Sequence, residues 1–553
     1  MNRILFAAVA ALVLPCAMAA QQRLPTKLAQ KPTIGIITPA DLMTRVYAFA
    51  DDSMMGRETG TVYHDKATDY IARELTRLGL VPAGENGTFF QALATRGIAN
   101  DLKLTVDGRE FVVWRDFLPR DPGSIAPEMR NTAVIYGGVF GDTARMIDPV
   151  QAAGKVLVFT VPRGWQANRQ GLMLRYSSAV AIAIATLDLM PQNLRDALAL
   201  PAMAPGEGML PPVSFFYISK AMAEAMLGAP LTPLTPLTPL AAGAAGKTIS
   251  GAVAFGPAVA PGTRNVIAIL PGSDPALRGQ YIAIGAHSDH IGTGTPIDHD
   301  SLYAFYHIVR PGGADDGNKS AAPADWPKIR AMLDSLRKVH PARIDSVYNG
   351  ADDDASGSMG VLEVAEAFAT ARDKPKRSIL FVWHVGEEQG LYGSEHFTDH
   401  PTVPRDSIVG QINIDMIGRG SAADTPGGGS GYLQLIGSRR LSSELGDLVE
   451  SEGKKFSPAF KFDYQYDANG HPGQYYCRSD HYNYARYGIP VVFMSTGGHA
   501  EYHQITDEPQ YLDYDQLARV TQLVFNTANR LANLDHRLVV DKPKPDPKGQ
   551  CVQ

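Results

Sequence analysis

Residues 378–386 form an apolar, β-rich run that ends in two adjacent carboxylates, Glu387 and Glu388. A buried strand seldom ends in two unpaired charges, because each is costly to take out of water. A metal ion removes that cost for one carboxylate and leaves the other free to move protons. Elsewhere His287, Asp353, Asp415 and His503 supply further nitrogen and oxygen donors, most of them at or just after the end of an apolar run. Together they read as a two-metal hydrolase. The set contains no cysteine, which suits zinc or a harder divalent ion rather than a closed thiolate site.

Each member also has an ordinary reading. His287 alone would more often be a structural histidine. Asp289, two residues on, changes that, because a nearby carboxylate can hold the second ring nitrogen and fix the tautomer. His290 is a rival ligand, and His287 is preferred as nearest the strand end. Asp352, Asp353 and Asp354 are consecutive and repel one another unless they share a cation or cap a helix. Capping accounts for Asp354 or Ser356 but does not require three aspartates. A weaker copy at Asp315 and Asp316 precedes no apolar-periodic helix and reads as loop chemistry or a decoy. Asp415 alone would be a turn or a cap. His503 follows the apolar run 490–494 and is expected on a loop, with His499 four residues earlier.

The elements that must position these groups are legible from periodicity. Runs 265–270, 281–285, 379–385 and 408–415 read as strands, and 358–370 and 515–534 as helices with one apolar stripe each. Alternating strands and helices imply an α/β layered sheet, in which ligand sites gather at strand C-terminal ends. Residues 41–50 and 64–80 read as helices. Between about 100 and 255 short β-like runs separated by Gly and Pro indicate a smaller β-rich domain. A Leu-Thr-Pro repeat over 231–240 forbids helix and central strand, so it reads as an extended linker.

The bulk properties agree. A chain of 553 residues is too long for one compact core. The net charge of −6 and the lack of a basic block argue against a nucleic-acid partner. Arg3, the apolar run 4–14 and the small residues Ala17 and Ala19 form a secretory leader, and no later segment is long and apolar enough to span a bilayer. The mature protein is expected to be exported, periplasmic or secreted. Cys477 and Cys551 are then the cysteines outside the leader, and the Pro- and Lys-rich end 542–553 reads as a frayed tail.

The chain resembles the co-catalytic zinc aminopeptidases of peptidase family M28. The resemblance rests on Ala286 to Asp289, Asn349 to Gly357, Gly386 to Ser394, Asn413 to Gly418, Arg478 to His481, and Tyr502 with His503. It implies an α/β fold with a mixed central sheet flanked by helices and an inserted, smaller, protease-associated-like domain. The implied organisation is a leader over 1–20, an N-terminal part of the peptidase domain over 38–119, the insert over 120–255, the catalytic domain over 262–535 and a tail over 536–553. It further implies two zinc ions bridged by Asp353, one completed by His287 and Asp415 and the other by Glu388 and His503. Glu387 is then the general base, Tyr502 a substrate-binding donor, and peptides the substrates. Two other activities occur on the same fold, a single-zinc glutaminyl cyclase and a non-catalytic receptor-like protein. The complete ligand set speaks against both. The chain departs from the family in a long insert over 291–348, with a helix expected over 326–339, and in Glu501, where an aspartate is more usual.

Overall fold

A computed structural model describes residues 24–553 apart from 121–127, 141–144, 162–171, 174, 200, 204–212, 232–239, 254 and 259. The leader and most of the Leu-Thr-Pro repeat lie outside the described residues.

The larger layer is built on a nine-stranded sheet among the described residues. Its core strands are β1 (Arg264–Leu270), β2 (Tyr281–His287), β3 (Ser378–His384), β4 (Ile408–Ile414), β5 (Tyr432–Ile436) and β6 (Val491–Ser495). They lie side by side in the order β1-β3-β2-β4-β6-β5. β2 runs parallel to β3 and β4, and β4 parallel to β6, while the flanking pairs β1·β3 and β5·β6 are antiparallel. The sheet is therefore mixed, as expected. The parallel centre is covered on both faces, which is why β3 and β4 read as near-continuous apolar runs rather than alternating ones. In that register His287 stands opposite His384, so the chemistry-bearing strand ends come out together.

One face is covered by the helices α1 (Pro39–Phe49), α2 (Val62–Arg77), α3 (Gly357–Thr370) and α4 (Tyr514–Ala532). α3 was expected to bury one stripe. It is buried from Gly357 to Phe368 on all sides, because α1 and α4 close over the face turned away from the sheet. Trp383 of β3 is fully buried and its indole N–H donates to the Ser358 carbonyl at 2.9 Å, tying sheet to helix.

The second sheet has eight strands among the described residues and begins at Lys103, inside the β-rich stretch read from about residue 100 and ahead of the insert start at 120 that the resemblance implies. Lys103–Val106 and Arg109–Val112 pair antiparallel and join it. The signal was present in the sequence: Asp107 and Gly108 both take positive φ, the two-residue hairpin turn that Asp-Gly favours. A small three-stranded sheet (Thr95–Ile98, Ala202–Met203, Phe255–Ala258) lies between the two layers. Met203 packs there against Val385, and a Cβ at Gly386 (φ +71°) would fall 2.0 Å from its Cε. The turn leading into Glu387 is thus wedged from behind by the β-rich unit.

The 291–348 segment is a module of its own. Thr293–Asp298 pairs antiparallel with Ile344–Val347, and between them lie helices His299–Val309 and Trp326–Arg337. No helix among the described residues is long and apolar enough to cross a membrane.

The C-terminal end is held rather than frayed. Cys551 is disulfide-bonded to Cys477 across 74 residues. The Gln553 side-chain oxygen accepts from the Tyr476 N–H at 2.8 Å, and its backbone carbonyl accepts from Gly470 at 3.0 Å. Cross-linking a loop of that length is expected to stabilise by about 4 kcal/mol. Replacing Cys551→Ser should therefore lower the urea midpoint under oxidising conditions. An unchanged midpoint would show that the bond adds nothing to stability.

Candidate metal centre

Asp353 stands at the middle of the site. Its Oδ1 is 3.0 Å from His287 Nε2 and its Oδ2 is 3.0 Å from His503 Nε2. On the first side Asp415 Oδ1 approaches His287 Nε2 to 3.6 Å. On the second, Glu388 Oε2 lies 3.0 Å from His503 Nε2. The structure thus brings together every ligand expected from sequence, in two groups that share Asp353. The side chains are at most 10% exposed except that of His503, which is 26% exposed.

The three consecutive aspartates have separate tasks. Asp354 caps α3 by accepting from the Gly357 N–H at 2.8 Å, and also accepts from the His287 and Met416 N–H groups. It thereby ties the end of β2 to the segment after β4. Asp352 accepts from the Gly418 N–H at 2.6 Å and faces His499 Nε2 at 3.2 Å. Asp353 is left to face the two imidazoles. Its backbone N–H donates to Asp507 at 3.1 Å.

Asp289 does not act as expected. The His287 Nδ1 atom lies 3.1 Å from the Asp289 backbone carbonyl, whereas the carboxylate is 3.8 Å away. That carboxylate accepts instead from the Glu387 N–H at 3.3 Å and the Thr59 hydroxyl at 3.2 Å, so it positions the turn of the two glutamates. His290, the rival ligand, bonds Glu388 Oε1 through Nδ1 at 2.6 Å and lies 3.9 Å from Asp353. That geometry orients Glu388. Ser479 donates to Asp415 Oδ2 at 2.8 Å and is itself held by Asn413.

Arg57 was not singled out from sequence. It is fully buried and donates to the carbonyls of Phe49, Ser288, Asn349 and Gly350, joining the N-terminal helices to both ligand loops. Burial pulls its guanidinium down to about 10, against the opposing pull of Asp354 and Asp353. A lone arginine at the end of a short 3-10 helix carries no periodic signal, so only the fold reveals it. The second Asp-Asp copy stays out of the metal cluster: Asp316 pairs with Lys319, and Asp315 pairs with Arg478.

The electrostatics divide the two adjacent glutamates. Burial pushes the Glu387 carboxyl well above the usual carboxylate range; His287 opposes this and Asp415 and Glu388 reinforce it. Burial and Asp353 act upward on Glu388 too, but His503 and His290 outweigh them and hold it at about 2. Burial likewise opposes ionisation of Asp353, yet His287 and His503 keep it well below its ordinary value. Adjacent residues are thus driven to opposite proton affinities, the pattern of an acid–base group beside a ligand.

The donors fit a divalent metal. The His287 Nδ1 faces a carbonyl, which only accepts, so Nδ1 carries the proton. Nε2 is buried and faces two carboxylate oxygens, which favour positive charge at that point. A divalent cation bound between those atoms would supply that charge. The all-nitrogen-and-oxygen set suits zinc. Beside it opens a pocket that includes Glu387, Asp353 and Asp415, with Met416, Ile436 and Phe493 as apolar lining.

Residues 329–528 match the sequence model of Peptidase family M28. The chain is 41% identical over 88 residues to a probable zinc metalloprotease of Pyrenophora tritici-repentis, covering 16% of this chain and 20% of that protein. It is 28% identical over 126 residues to a probable leucine aminopeptidase of Arthroderma benhamiae, covering 19% and 35%. The chain thus spans a fifth to about a third of the length of these two relatives. An aminopeptidase from Aneurinibacillus sp. strain AM-1 is similar over 92% of this chain and 97% of its own, at 16% identity and a TM-score of 0.47.

Because Asp353 faces both groups of donors, Asp353→Ala is expected to abolish binding of divalent metal, read as metal per chain by atomic absorption. A variant with full metal content would remove Asp353 from the site.

Proposed function

We propose that the protein is an exported, zinc-dependent exopeptidase that hydrolyses N-terminal residues from peptides. The observation that carries this reading is the Asp353 carboxylate lying 3.0 Å from both His287 and His503, with Asp415 beside the first and Glu388 beside the second. In this reading His287, Asp353 and Asp415 hold one zinc ion, and Asp353, Glu388 and His503 hold the other. Zinc, when bound, polarises the scissile carbonyl and acidifies water.

The chain's own residues supply the rest. Glu387 takes a proton from the attacking water and delivers it to the leaving amine nitrogen. The Tyr502 hydroxyl, whose oxygen accepts from Arg478 at 3.1 Å, keeps its proton because burial pushes the phenol well above its ordinary value. It is therefore a donor toward the carbonyl oxygen as negative charge develops there. Ser479 keeps one Asp415 oxygen engaged and so aims the other at the His287 side.

The β-rich unit is read as a protease-associated-like domain, which the wedge of Met203 behind Gly386 supports. Export is supported by the leader pattern over 1–20 and by the Cys477–Cys551 bond, since such bonds persist in oxidising compartments.

Glu387→Gln is expected to keep its metal and lower kcat on aminoacyl-amides by about 10²–10⁴. Normal turnover in that variant would sink the assignment of the base.

A further inference from the structure

The second Asp-Asp copy is unused by the metal centre, yet the structure brings it to the rim of the same pocket. It lies in a short 3-10 turn, Gly313–Asp316, on the 291–348 module. That turn is docked on the loop carrying Tyr502 and His503. The Ala314 N–H donates to the Tyr502 carbonyl at 3.1 Å. Gly313 sits so close that a Cβ there would fall 2.6 Å from the His499 carbonyl and 2.7 Å from that of Tyr502. Its φ of +60° adds a second reason for glycine.

From this fixed turn Asp315 reaches Arg478 with both oxygens. Oδ1 lies 3.0 Å from Nη2 and Oδ2 lies 3.3 Å from Nη1. The Tyr475 hydroxyl adds a third bond, to Oδ2 at 3.2 Å. The Arg478 Nη2 also donates to the Tyr502 hydroxyl. Asp315, Arg478 and Tyr502 line one pocket with Glu387, Asp353 and Asp415. Arg478 is the single basic side chain among the described lining residues. An unpaired arginine there would be a two-pronged receptor for a carboxylate. Asp315 already occupies that fork.

We propose that Asp315 is a positioning residue that sets which end of a peptide the site accepts. By holding Arg478 against Tyr502 it withholds the guanidinium from a substrate carboxylate and leaves the rim selective for a cationic chain end. The choice between the two chain ends is thus made by the 291–348 module, which contributes no metal ligand. This inference rests on the exopeptidase reading above.

The test compares the wild type with Asp315→Asn, Asp315→Glu and the double variant Asp315→Asn with Arg478→Gln. The probe is N-acetyl-leucine, which bears a carboxylate and no free amine, used as an inhibitor of leucine-anilide hydrolysis. Asp315→Asn should tighten inhibition by about fivefold, the effect of one half-exposed charge pair. Asp315→Glu should restore weak inhibition, and the double variant should lose the gain, because Arg478 is the receptor. Unchanged inhibition in Asp315→Asn, or the same gain in the double variant, would overturn the proposal. If the wild type hydrolyses no aminoacyl substrate, the exopeptidase reading fails separately. Calorimetric binding of N-acetyl-leucine to the same four proteins then reads the same shift.

Discussion

The placing of one buried carboxylate between two imidazoles is the constraint on which the rest depends. Asp353 faces His287 with one oxygen and His503 with the other, at 3.0 Å each. Neither histidine is near it in sequence. Holding them there requires β2, the head of α3 and the loop after β6 to converge. Asp354 fastens β2 to α3, Asp507 fastens the His503 loop to the aspartate run, and Arg57 closes the underside. Each of these polar groups is buried and would be costly unpaired, so the arrangement tolerates little rearrangement.

The same crowding sets the proton affinities of the site. A cluster of carboxylates in a dry site cannot all ionise on equal terms. His503 and His290 stabilise the charge of Glu388, whereas at Glu387 burial and the like charges of Asp415 and Glu388 outweigh His287. One peptide bond separates two carboxyls with opposite behaviour. Reach decides which is which, because Glu388 points to the imidazole side and Glu387 to the pocket.

The peripheral parts of the chain converge on the mouth of that pocket. The β-rich unit wedges Met203 behind the glutamate turn. The 291–348 module docks its 313–316 turn on the Tyr502 loop, and its His307 reaches Glu501 at 2.5 Å. Glu501 also holds Arg419 and His499. The C-terminal end is clasped to the segment carrying Tyr475 and Arg478 through the disulfide and Gln553. Three segments far apart in sequence thus brace one wall.

Much of this was legible in the sequence. The apolar runs of β2, β3 and β4 and the stripe of α4 follow from burial and period, which are local properties, whereas the all-round burial of α3 depends on α1 and α4 closing over it. The side chains that the structure brings together around Asp353 were legible as candidates because carboxylates and histidines at the ends of buried runs are costly without a cation. Only the tertiary structure decided the rest. Asp289 lies two residues from His287, yet it is the backbone carbonyl that meets the ring while the carboxylate serves Glu387. His290 and His287 differ only in which way the chain turns after β2. The strands at 103–112 are half-exposed and short, so the hairpin turn marks them better than hydrophobicity does. Asp315 looked like a stray copy because its meaning comes from Arg478, 163 residues away. The sequence by itself determined which residues must be buried and which of those need a partner. Partner identity depends on long-range geometry, which no local pattern encodes.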